Sequence, residues 1–398
     1  MALMAITEAR VVTARRPVKD PETILIEDGR IAAVGKGIDI PARSRRVDAA
    51  GASVIPGLID AHCHAYGVSL RLEDMEKWPL SYVALLAARR LDAALRRGFT
   101  TVRDVGGGDP GLAKAVREQI VSAPRYLYTG PALSQTGGHG DGRDPLSSEG
   151  AYCGCATNVV DGVEAVRLKA RGLLRQGAHA IKLLTSGGVI SPTDPLEIPQ
   201  YTGEEIAAAC YEANRRGTYV TAHAYSPAAI RHSIDSGVRC IEHGNLLDAG
   251  TATAMAELGV SLVPTLATYD AMDRRGRAVG LTEVGRAKNT AVLGAGKEAI
   301  RLARAAGVRI GFGTDLMGEL EDEQLQGLRL QCEVEGPERT IEAATAANAA
   351  ILRLEDSVGR IEPGLSADLV VLRGDLLRDP EILWEGERTV IHRGKMVV

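Results

Sequence analysis

Six side chains of this 398-residue chain have types and spacings suited to metal chemistry. His62 and His64 stand two apart in Asp60-Ala61-His62-Cys63-His64. Along an extended strand residues i and i+2 share a face, so both imidazoles can turn toward one ion. Neutral imidazole suits zinc and its first-row neighbours. Cys63 should face the layer behind and is not counted as a ligand. His223, His243 and Asp315 each close a short apolar run. A single histidine in such a place reads as an ordinary core residue; the joint placement of four of the chain's eight histidines carries the weight. Lys182 interrupts the apolar run AIKLL (180–184). A charged lysine costs free energy there. Either it pairs with a buried carboxylate, or desolvation leaves a neutral amine able to take up carbon dioxide as a carbamate. A carbamate is a two-oxygen anion that can bridge two cations.

These residues need elements that aim them at one place. From Ser81 to Gly313 the chain repeats one unit: a periodic helical stretch, in most cases a closing glycine, then a short β-branched or aliphatic run. Seven such units follow an opening strand at 57–61. The helices are expected at 81–97, 112–121, 163–175, 204–216, 227–235, 252–258 and 287–306. The strands are expected at 100–103, 126–129, 180–184, 219–223, 239–243, 261–263 and 309–313. Eight strands alternating with helices predict an α/β fold, a (β/α)8 TIM barrel over residues 57–359. In such barrels the site lies at the C-terminal strand ends, where all six residues fall. Both chain ends read differently. Asp28-Gly29 separates two apolar runs (23–27 and 30–34), as in a hairpin, and Arg393-Gly394 does the same near the C-terminus. Residues 1–56 and 360–398 are therefore expected to form one small β-sandwich domain. The segments 132–160 and 185–203, rich in Gly, Ser, Pro and Asp, read as loops covering the site.

At this level of detail the sequence resembles the amidohydrolase superfamily. The likeness rests on His62-x-His64 after PGLID, on Lys182, His223, His243 in EHGN and Asp315 in GTD, and on the flanking DGRIAAVG and GRIEPGLSADLVVL. It extends over nearly the whole chain. The resemblance implies two divalent metals, usually zinc, bridged by an N6-carboxylated Lys182. His62, His64 and Asp315 would hold the more buried ion, and His223 and His243 the other. Within the superfamily the chain is similar to metal-dependent dipeptidases that cleave Xaa-Pro or Xaa-Arg/Lys. RDVGGG (103–108), TGGHGD (136–141), TSGGVISPTDP (185–195) and HAYSPAAI (223–230) carry that likeness. By it His139 and Tyr225 would touch the substrate carbonyl or carboxylate. Two ions sharing a water bring hydroxide within reach of neutral pH, and Asp315 would carry its proton to the leaving amine.

Other readings stay open or are disfavoured. Deamination in this superfamily uses a glutamate three residues after the strand-5 histidine, where Ser226 stands. Hydrolysis of another amide, a carbamate, an aryl-urea or a cyclic amide, as in an imidazolonepropionase-like enzyme, needs only different loops. N-acyl amino acids belong with the dipeptides as candidates. An inactive barrel serving as a binding protein is opposed by the presence of all six ligand residues. Asp141, Asp144, Asp194, Glu197 and the Glu319–Glu323 cluster could favour a cationic substrate group, but charged loops are often merely solvated.

Composition excludes more than it assigns. Lys and Arg number 47 against 51 Asp and Glu, a net charge of −4, so no cation surplus awaits phosphates and no nucleic-acid partner is expected. No apolar run spans a bilayer, and no membrane partner is expected. No secretory leader is read at the N-terminus, Cys153 and Cys155 are too close for an easy disulfide, and no CxxC pair occurs. These features fit a reduced, cytoplasmic enzyme with a small-molecule substrate. Assembly as a homo-oligomer stays open. With two Phe and two Trp against 45 Gly, packing must rest on small aliphatic side chains.

Overall fold

The computed structural model describes residues 3–13, the backbone of 16–17, and residues 20–70, 78–143, 156–191 and 193–397. Cys153, Cys155, Asp144 and the middle of the 132–160 segment lie outside the described residues.

Strands from both chain ends share one nine-stranded sheet. Its main path runs Lys395–Met396, Arg388–His392, Leu369–Arg373, Ala52–Pro56, Leu3–Thr13, Glu22–Glu27, Arg30–Gly35. Leu3–Thr13 is the pivot. Its first half pairs with Glu22–Glu27 and its second with Ala52–Pro56, and the register breaks between Ile6 and Ala9. Glu8 there has φ +54°, which curls the sheet so that Ile6, Ile24, Val54, Leu369 and Ile391 enclose one core. The expected hairpin is present: Glu27 pairs with Arg30, and Asp28 and Gly29 both have positive φ, as a type I′ turn requires.

The central region is parallel. Leu58–Cys63, Phe99–Asp104 and Arg125–Tyr128 form a three-stranded sheet. Thr157–Val159, Ala132–Ser134, Ile181–Leu184, Val220–Ala224, Cys240–His243 and Ser261–Val263 form a six-stranded one. The two sheets meet where His179 N–H donates to Tyr128 O at 2.7 Å. At the other end Leu262 bridges Ile310, Ala61 N–H donates to Phe312 O, and Thr314 N–H donates to His62 O. Outward-facing Ile181, Leu183, Ala222, Ile241 and Leu262 pack under the helices, whereas Ile59, Ala61, Tyr219, Cys240 and Val263 fill the floor between the strands.

Helix ends follow local chemistry. Thr202 and Glu205 form a capping box at the start of Gly203–Arg215, and Gly307 closes Ala295–Ala306 with φ +84°.

Four expectations need correction. The helix expected at 287–306 is two, Glu283–Leu293 and Ala295–Ala306, joined at Gly294. Leu266–Arg275 is a further helix, hidden because Thr, Tyr and Asp blur its apolar stripe. The 132–160 segment is not loop alone, since Ala132–Ser134 and Thr157–Val159 pair in parallel and extend the sheet. The run 309–313 forms a single bridge rather than a full strand, its remaining hydrogen bonds going to Leu58–Cys63 and to the Asn348 and Gln331 side chains.

Candidate active site

The C-terminal ends of these strands surround a cavity with about 810 Å³ of empty space, its open mouth included. His62, His64, Lys182, His223, His243 and Asp315 all line it, together with His139 and Tyr225. Asp315 is the centre. Its Oδ1 lies 2.9 Å from His64 Nε2 and 3.3 Å from His62 Nε2, and its Oδ2 is 3.9 Å from His243 Nδ1. One ligand atom from each of His62, His243 and Asp315 lies within 4.8 Å of the others. His223 stands beside His243, ring centroids 4.5 Å apart. Its Nε2 is 3.1 Å from Gly187 O, which leaves Nδ1 as the nitrogen that can face an ion.

Strict alternation along the strands would not produce this arrangement. Ile59 and Ala61 lie in the interior floor, so an unbroken strand would turn Cys63 inward and His62 outward. A register shift between Asp60 and Cys63 reverses them. Cys63 packs instead against the cluster of Leu91, Ala94 and Val102, and burial, then Asp104 and Asp60, pushes its thiol well up, away from thiolate. His243 follows inward Glu242 and should face out; its φ of +72° swings it back, and Asp315 has φ +55°. Two non-glycine residues in the left-handed region at one site mark backbone strain held by its surroundings.

Electrostatics favour neutral nitrogen donors around an anionic centre. Burial, aided by neighbouring cations and rings, drives His223 and His243 well below the usual imidazole range. His64 moves the other way: burial opposes its charge, but the hydrogen bond to Asp315 prevails. Asp315 is itself held well down, since His62, His64 and His243 outweigh its burial. Lys182 is fully enclosed and its Nζ has no hydrogen-bond partner among the described residues. Burial lowers it to about 8, against the pull of Glu242 and Asp315. A buried amine without partner, amid imidazoles and a carboxylate, fits a group that completes its bonding when modified and bound to metal.

The polar groups behind the ring escaped the reading of the sequence. Glu242, fully buried, lies 2.7 Å from His62 Nδ1, accepts from Arg103 at 2.6 Å and from the Thr221 hydroxyl. Arg103 also donates to Ala61 O and Tyr219 OH. Asp60 accepts from the Thr314 and Gln324 side chains and from His62 N–H, tying the strand that carries His62 to the segment carrying Asp315. Tyr269, on the unexpected helix, stands 2.9 Å from His243 Nδ1 and 2.8 Å from Tyr225 OH. An acid inside the buried run CIEH was the one signal that could have revealed Glu242.

With this geometry in place, comparison with known proteins identifies the class. Residues 53–397 match the model of the amidohydrolase family, and the chain belongs to that family, a family of hydrolases whose members are generally metal-dependent. Over 385 residues, 91% of this chain and 79% of the relative, it is 31% identical to an ochratoxinase of Aspergillus niger. A prolidase solved in complex with N-methylphosphonate-L-proline is similar over 99% of both chains, with TM-score 0.96 and 39% identity. A Xaa-Pro dipeptidase with bound methionine is similar over 99% of both chains, with TM-score 0.89 and 28% identity. The structural neighbours are of the TIM-barrel type, this chain shares their mixed α/β content, and hydrolysis of an amide bond is the supported chemistry. No described helix is long and apolar enough to cross a membrane.

Proposed function

We propose that this chain is a binuclear, zinc-dependent amidohydrolase acting as a dipeptidase, with Xaa-Pro and other uncharged substrates preferred over Xaa-Arg or Xaa-Lys. In this reading residues 57–359 close into a (β/α)8 barrel, and 1–56 with 360–398 make a separate β-sandwich domain. The observation that carries it is the unpartnered, buried Lys182 amine inside the ring of His62, His64, His223, His243 and Asp315. His62, His64 and Asp315 would hold one ion, His223 and His243 the other, with carboxylated Lys182 between them. Bound there, two divalent ions supply a water acidified toward neutral pH and an electrophile for the scissile carbonyl.

The chain's own groups do the rest. Asp315, already within hydrogen-bond reach of His64, takes the proton of the attacking water and returns it to the leaving amine. Tyr225 and His139 face the same cavity and would hold the substrate carbonyl or carboxylate. Burial keeps the Tyr225 hydroxyl protonated and therefore a donor.

The preference for uncharged substrates follows from the walls. Leu70, Val189, Ile190, Met272 and Met317 surround the ligand ring, and among the described lining residues Asp315 is the sole acid. Most of the described acids that could have met a cation are engaged elsewhere, Asp141 with Arg143, Asp194 with His139 and Lys288, Glu321 with Arg97, Asp322 with Arg275, and Glu323 with Arg274 and Arg275, and Glu319 is exposed and off the cavity. Glu197 is exposed and off the cavity. Cys63, Cys210, Cys240 and Cys332 are free thiols, in keeping with a reduced, cytoplasmic setting.

The test is a metal assay joined to a substrate panel of Xaa-Pro, Xaa-Arg and Xaa-Lys dipeptides, N-acyl amino acids and aryl-ureas. About two metals per chain and hydrolysis led by uncharged dipeptides are expected. Less than about one metal per chain with no hydrolysis after zinc reconstitution refutes the enzyme reading. A panel led by Xaa-Arg or Xaa-Lys refutes the preference alone.

A further inference from the structure

Residues 185–191 and 193–200 leave strand Ile181–Leu184, pass over the cavity and return. Ser186 bridges Pro199, and Gln200 N–H donates to Thr185 O at 2.8 Å. Inside this loop Asp194 is buried. Its Oδ2 accepts from Gly188 N–H at 3.1 Å and lies 3.2 Å from His139 Nδ1. On the outer side Lys288, from helix Glu283–Leu293, donates to Gly188 O at 3.0 Å, Ser191 O at 2.7 Å and Asp194 O at 2.5 Å. Its Nζ is also 3.5 Å from Asp194 Oδ1. One ammonium has three N–H donors, and here each has a backbone carbonyl of the same loop.

The loop in turn fixes two rings. A Cβ on Gly188 would come within 2.0 Å of the His139 ring, so that ring rests directly on the loop backbone. Its other face stacks on His223, centroids 4.5 Å apart and planes 17° apart. Gly187 O, one residue away, is the partner of His223 Nε2. With Nδ1 beside Asp194, His139 keeps Nε2 for the cavity it lines.

We propose that Lys288, which touches neither ligand ring nor cavity, is a positioning residue for hydrolysis: it gathers the loop carbonyls and offsets Asp194, so that His139 is held flat on His223 with Nε2 toward the substrate. The proposal rests on the amidohydrolase reading above for its catalytic consequence, but its structural half stands on these contacts alone. A misplacement of about 1 Å in a substrate-holding group costs on the order of 100-fold in rate, which sets the scale of the effect.

The experiment compares wild type, K288M and K288R by metal content, amide hydrogen exchange, crystal structure and steady-state kinetics on the best substrate of the panel. Expected for K288M are unchanged metal content, lost protection across 187–195, a displaced His139 ring, and a kcat lower by about 10- to 100-fold with little change in KM. K288R, which keeps the charge, should recover much of the loss. Wild-type protection with an unmoved His139 ring in K288M overturns the proposal. So does a disturbed loop with kcat/KM within about twofold of wild type. If wild type hydrolyses no amide, the functional reading falls, while exchange and the His139 ring position still decide the positioning role. If K288M does not fold, K288Q, which lacks the charge and cannot serve all three carbonyls at once, is read by the same measurements.

Discussion

Replacing Glu242 by glutamine should separate the two duties of the buried network behind the ligands. Glu242 and Arg103 are both fully buried, with their charged groups 2.6 Å apart, and Glu242 also lies 2.7 Å from His62 Nδ1. Glutamine keeps the shape and removes the charge, leaving the guanidinium uncompensated. Breaking one side of a buried pair costs about 3–5 kcal/mol. A second cost falls on metal binding, since losing the carboxylate that orients a ligating histidine weakens affinity by about 10- to 100-fold, or about 1.4–2.7 kcal/mol. Urea unfolding of chelator-treated protein reads the first effect alone, and zinc titration of the folded protein reads the second. The double variant R103M/E242Q should restore part of the stability, with a coupling of about 0.5–3 kcal/mol, but not the zinc affinity. Metal-free E242Q within about 1 kcal/mol of wild type would refute the reasoning, because it would mean that the buried charge pair carries no weight.

Other outcomes follow from the same contacts. K182M should lose activity and metal, yet metal-free K182M should be more stable than metal-free wild type by about 1–3 kcal/mol, because an unpartnered buried amine is gone; urea midpoints check this, and a destabilised variant contradicts it. Burial, then the nearby Arg103, lowers His179 to about 4. Below pH 6.5 the unfolded chain binds a proton that the native one refuses, so stability falls with pH until about 4, by about 3 kcal/mol in all. Metal-free H179Q should lack that part of the slope, and parallel stability–pH curves for the two proteins would count against it.

The order of elements was legible because helices and strands differ in period and glycines punctuate them. The candidate ligand residues, which the structure gathers around one cavity, stood out because histidine and lysine are rare in apolar strand ends. Their aim was not. His62 faces the cavity through a bulge and His243 through a positive φ, and neither leaves a local signature in a non-glycine sequence. Tyr269 was missed with its helix, whose buried face mixes Thr and Tyr with Leu and Ala. Glu242 and Arg103 stayed hidden because an acid beside a conspicuous histidine passes for solvated charge unless the strands paired with it, through His223 and Val263, are known to turn the same face inward. The loop anchor at Lys288 lies about a hundred residues from Gly188 along the chain, beyond the reach of any local pattern.

The contact of Asp315 with His62 and His64 joins the first parallel strand to the segment that follows the single-bridged run 309–313, and Asp60 and Thr314 beside it are separated by 254 residues. During synthesis the first two histidines emerge long before their carboxylate. The half-made chain can offer a cation no more than His62, His64 and the residues already outside the ribosome, and full binding strength waits for residue 315. On the proposed metal-binding reading, capture of the ion would be a late event, and a product terminated before residue 315 would be recognisable by its inability to retain it.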